Sequence, residues 1–134
     1  MYTTQDTDSG VRLQDAAWVF GPSKEPVLCW ARERVGEWLA RLTGAEARWA
    51  DKPTGAVSIV VGTPESNRAV AAAVEGGALD LAGLGEDDFV LKRALLGDSP
   101  VLLVAGRTSR AAVYGVCELF ERLGCTFLIS GDRF

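Results

Sequence analysis

Residues 101–134, VLLVAGRTSRAAVYGVCELFERLGCTFLISGDRF, decide how this chain folds. Val101–Ala105 is an apolar, β-prone run, and Gly106 breaks it. Thr108 then offers a helix N-cap. Val113, Val116, Leu119, Phe120 and Leu123 recur at three- and four-residue steps, the spacing of one helix face. Gly124 stops the helix, and Cys125–Ile129 reads as a second strand. A strand, a helix and a strand of this length make a parallel crossover unit. Gly131–Arg133 form a turn or linker before Phe134. The unit is complete where the sequence breaks off, so the chain reads as one domain of something larger.

The same grammar extends toward the N-terminus. Ala16–Phe20 is a short strand. Ser23–Gly44 is a helix, with Pro26 in its first turn and Gly44 as its stop. Its apolar stripe is Val27, Leu28, Ala31, Val35, Trp38, Leu39 and Leu42, with a Glu37–Arg41 pair expected on the polar side. Ala45–Ala50 alternates small and large residues as a strand does. Ala56–Val61 is almost continuously apolar and predicts a central strand covered on both faces. Thr63 as N-cap and Pro64 as first residue predict a helix running to about Glu75. Ala78–Asp87 is a Gly-rich loop. Asp88–Leu96 and Val101–Ala105, joined through Gly97–Pro100, predict a hairpin. The order β-α-β-β-α-β-β-α-β predicts an α+β or α/β two-layer fold. Its mixed sheet would have about five to seven strands, with about three helices mainly on one face. The polar segment 1–12 is expected to be a flexible tail and 13–134 a single domain.

Composition narrows the functions. The 134 residues carry a net charge of −4, and the fourteen basic residues are scattered rather than clustered. That is not the basic face a nucleic-acid partner requires. No apolar run approaches a membrane span. The N-terminus, MYTTQDTDSG, is polar and acidic rather than a secretory signal, which favours the cytoplasm. With no histidine in the chain, a Ser-His-Asp triad, a Cys-His dyad and an HExxH zinc site are excluded. Cys29, Cys117 and Cys125 lack metal-site spacing and are expected to be buried structural thiols.

Two segments carry a resemblance: Ile59–Asn67 (IVVGTPESN) and Gly106–Leu128 (GRTSRAAVYGVCELFERLGCTFL). Together they resemble the non-catalytic α/β domain that precedes the (β/α)8 barrel in α-glucuronidases of families 67 and 115 and in β-hexosaminidases of family 20. The likeness runs from about Asp15 to Phe134. Asp88 and Ala111 stand where those domains commonly have Gly, and Thr126 where Arg is usual. The resemblance implies an accessory domain whose partner is a catalytic barrel in the same chain. The two catalytic carboxylates would lie on that barrel. It implies no catalytic residue, cofactor or metal site here, and self-association through an exposed junction surface.

The residues themselves offer several candidates. Glu86, Asp87 and Asp88 are the dense carboxylate cluster. Adjacent loop carboxylates do not flank a sugar at the roughly 5–9.5 Å that glycoside hydrolysis needs, so a solvated loop is expected. Gly62-Thr63-Pro64 could hold an anion at a helix N-terminus, against an ordinary capped helix. Gly83-Leu84-Gly85 opens no helix. Trp18, Trp30, Trp38 and Trp49 could form a sugar platform. Trp38 belongs to a core stripe, and Trp30 and Trp49 are expected as domain contacts. Tyr114 is expected to pack. Gly115, inside a helix, predicts a close approach of helix to sheet. Three readings follow: an accessory domain, a carbohydrate- or small-ligand-binding module, and a stand-alone enzyme, which has the least support.

Overall fold

Ser58–Gly62 and Ser99–Gly106 are nearly uninterrupted apolar segments, and residues of both lie fully buried. In the computed structural model, which describes residues 2–5, 16–53 and 57–122, they pair in parallel at the centre of a six-stranded sheet. In chain order the elements are β1 (Tyr2–Gln5), β2 (Ala17–Val19), α1 (Pro26–Thr43), β3 (Arg48–Trp49) and β4 (Ser58–Gly62). They continue with α2 (Arg68–Glu75), β5 (Phe89–Leu96), β6 (Ser99–Gly106) and α3 (Ser109–Arg122).

The strands lie in the order β1-β5-β6-β4-β2-β3. β6, β4, β2 and β3 run one way, while β5 joins β6 as an antiparallel hairpin and β1 follows β5 in parallel. α1 and α3 bury their stripes with Trp18, Ile59, Leu91, Leu102 and Val104 on one face. α2 and the 76–88 loop, through Leu79 and Leu81, cover Val19, Val60, Leu103 and Ala105 on the other. The mixed sheet with helices mainly on one face is thus as expected, with a thinner cover behind it. An aromatic row stiffens the thicker layer: Trp18 stacks on Phe120 at 5.9 Å between centroids, and Phe120 meets Trp38 at 5.3 Å.

Several local expectations change. Tyr2–Gln5 is not a loose tail, because it closes the sheet edge beside Phe89–Lys92. β3 shrinks to Arg48–Trp49 at the opposite edge. Pro26 does open α1, and Gly44, with φ 74°, ends it. Glu37 pairs with Arg34, three residues before it, at 2.7 Å. Cys29 is exposed, not buried. Cys117 is mostly enclosed, and burial, helped by nearby Glu121, pushes its thiol up to about 11. The expected strand Cys125–Ile129 and the Gly124 stop fall outside the described residues.

Gly115 behaves as its position predicts. A Cβ there would lie 2.7 Å from Val104 Cγ1 and 3.2 Å from Phe89 Cδ1. Only a residue without a side chain lets α3 settle this closely on β5 and β6.

Candidate functional site

The connection from β2 leads through α1 to β3 on one side, while that from β4 leads through α2 to β5, beyond β6, on the other. The two connections run in opposite directions along the sheet, and α1 and α2 lie on its opposite faces. The gap beyond the carboxyl ends of β2 and β4 is therefore a topological switch point, the place where open α/β sheets bind ligands.

Here that crevice is filled by the chain itself. Asn67, 2% exposed, donates both amide hydrogens, to Val19 O and Val61 O, each at 2.8 Å. Its Oδ1 accepts from Ala69 N–H and caps α2. Glycines make the room. Gly21 (φ 81°) lies against the Ser66 carbonyl, and at Gly62 (φ 143°) a Cβ would sit 2.6 Å from Ser66 Oγ. Thr63 N–H donates to Ser66 Oγ, and Ser66 N–H donates to Thr63 Oγ1. Asn67 N–H reaches Thr63 O. The donors that might have cradled an anion at Gly62-Thr63-Pro64 are thus used internally. This turn also corrects the expected helix start, because Asn67 rather than Thr63 is the N-cap. Asn67 is the key residue that the sequence reading passed over, although an Asn just ahead of a run of alanines is itself a capping signal.

The carboxylate cluster sits at the same end of the sheet, since β5 begins there. Asp88 Oδ2 accepts from Gly85 N–H, and Asp87 pairs with Arg110 at 2.7 Å. That hydrogen bond, with the Asp87 charge, raises the Arg110 pKa. The Glu86 carbonyl accepts from Thr108 Oγ1, whose oxygen also accepts from Ala111 N–H as the α3 N-cap. Leu84 O, within the Gly83–Gly85 loop, accepts from Arg107. These contacts pin the loop to the start of α3. Ser109 Oγ in turn donates to Glu25 at the start of α1. Among the described residues, no three His, Cys, Asp or Glu side chains gather as metal ligands.

Of the tryptophans, Trp18 and Trp38 are core, while Trp30 and Trp49 are 41% and 40% exposed. Arg34 lies over Trp30 and Arg32 over Trp49. Tyr114, expected to pack, is exposed on the outer side of α3.

The sequence model of the glycosyl hydrolase family 67 N-terminus matches residues 6–119. The chain belongs to this family. Of the three families suggested by the two motif segments, the match falls on family 67. No curated protein matches the chain significantly. The family 67 N-terminal match spans the switch-point turn, the carboxylate loop and nearly all of α3. Among the described residues, no helix of this domain is long and apolar enough to cross a membrane.

Proposed function

We propose that this chain is a non-catalytic accessory domain of a glycoside hydrolase. It would support a catalytic barrel of the same polypeptide in carbohydrate degradation. The observation that carries this reading is the crevice closed by Asn67. Where a doubly wound sheet would admit a ligand, this one spends its polar groups tying β2, β4 and α2 together. The carboxylate loop is likewise engaged in holding the start of α3. Membership of family 67 supplies the glycosidase context. The motif resemblance extends it to an α-glucuronidase-like parent whose two carboxylates lie on the barrel. A rigid sheet braced on both faces suits a domain that bears on a neighbour through a fixed surface.

Assays of the isolated chain on aryl glucuronides, aryl hexosaminides and xylo-oligosaccharides test the reading. No turnover is expected with any of them. Hydrolysis that persists through repurification and disappears in Glu86→Gln or Asp87→Asn would overturn it.

A further inference from the structure

α3 does not cover its face of the sheet to the end. It begins against Gly106, lays Gly115 on Val104 and stacks Phe120 on Trp18. Trp18 is in register with Ile59, and Ile59 with Leu102. In five residues α3 thus descends from the level of Val104 to that of Leu102. A helix rise of about 1.5 Å against a strand step of about 3.3 Å requires this. Arg122, where α3 ends, comes down near the level of Val101.

Past that level α3 gives no cover. Leu95 shares the face of Leu91, and Pro100 that of Leu102, because strand side chains alternate. Leu95 and Pro100 are register partners, and Leu95 is 66% exposed. With Val57, Arg93, Ala94 and Val101 they line a groove of about 280 Å³. We propose that this groove seats the segment that follows α3, Leu123–Ile129 (LGCTFLI), which lies outside the described residues.

Position favours this occupant. α3 packs across β4, β5 and β6, and the ends of these three strands supply the groove. The chain therefore leaves α3 at the level of the groove and over the strands that form it. Five residues separate Arg122 from Phe127, up to about 17 Å of extended chain. Neighbouring strands stand only about 4.8 Å apart, so the segment can lie across all three. Composition agrees. Leu123, Cys125, Phe127, Leu128 and Ile129 are apolar, and no residue of the seven is charged. Gly124 suits the turn out of a helix. The groove matches, since Arg93 is its one charged lining residue. A second copy of the chain offers apolar surface too, but a tethered segment acts at roughly millimolar effective concentration. On the accessory-domain reading, a seated Leu123–Ile129 fixes the direction in which the polypeptide leaves for the barrel. That consequence rests on the reading; the seat itself does not.

Methyl–aromatic Overhauser contacts in the full chain test the seat. Contacts from the Leu95 methyls to the Phe127 ring are expected, unchanged on dilution. Denaturant unfolding gives a second measurement. Leu95→Ala and Phe127→Ala should each lower the folded-to-unfolded ratio about fivefold, and the double variant little further, because residues in contact couple. Leu95 stands outside the buried core, so its variant folds and reports. Absence of any Leu95 contact to residues 123–129, or additive losses in the double variant, would overturn the proposal. So would contacts that grow with concentration, which would assign the groove to a second copy. None of these outcomes bears on hydrolysis by the isolated chain, so the glycoside assays test the accessory-domain reading separately.

Discussion

Gly115 shows how far a single residue can be read. A glycine within a helix costs about 0.5–1 kcal/mol against alanine, so its presence in an otherwise strong amphipathic pattern demands contact, and the contact is Val104 and Phe89. Gly115→Leu should therefore destabilise by about 1–3 kcal/mol, seen as a lower melting temperature. Gly115→Ala should lose less, because better helix propensity offsets part of the clash. A raised melting temperature in both would refute close packing. Cys117 yields a pH prediction. Its folded pKa of about 11 lies above the reference 9.0, so the folded state keeps its proton longer than the unfolded chain. Stability should be insensitive to this group below about pH 9 and fall between about 9 and 11. Cys117→Ala should flatten that slope in pH-dependent denaturation. At pH 8 its thiolate fraction is about one in a thousand, so a thiol reagent should label exposed Cys29 first. Periodicity placed Cys117 well and Cys29 badly, because Cys29 borders the Leu28 stripe position and helix spacing does not resolve a single step at the edge of a stripe.

At the scale of elements, every predicted segment within the described residues appears, but the joints were less legible. Thr63 followed by Pro64 is a sound capping signal, and so is Asn67. What decides between them is the reach of Asn67 to a carbonyl on β2, a strand 48 residues earlier, and no local pattern contains that. Asn67→Ala would leave Val19 O and Val61 O without this donor and remove the α2 cap. We expect a loss of about 2–4 kcal/mol in denaturant unfolding, with Asn67→Ser recovering only the cap. A loss below about 1 kcal/mol, the cap alone, would mean that the amide does not tie the strands. β3 was overestimated for a related reason. Alternation in AEARWA suggests six residues of strand, yet only Arg48 and Trp49 form one at the edge, with Ala50 N–H adding a bond to Trp18 O.

For the whole molecule, the mixed sheet and its two-faced burial could be inferred from continuous apolar runs such as Ser58–Gly62, whereas the strand at its far edge could not. Tyr2–Gln5 is four polar-leaning residues without a hydrophobic pattern, and its pairing exists only because β5 offers a backbone edge. Deleting residues 1–5 should expose that edge, lowering stability by about 2–4 kcal/mol through lost backbone pairing. It should also promote association between chains, visible by light scattering. Unchanged stability together with a monomeric state would show that β1 contributes nothing. The register Tyr2↔Phe89 has another consequence, for biosynthesis. β1 leaves the ribosome ahead of the other described strands, yet it cannot find its place until β5 has been made and has paired with β6. Along this edge the order of assembly reverses the order of synthesis, and β1 waits for its partner strand while everything between them is made.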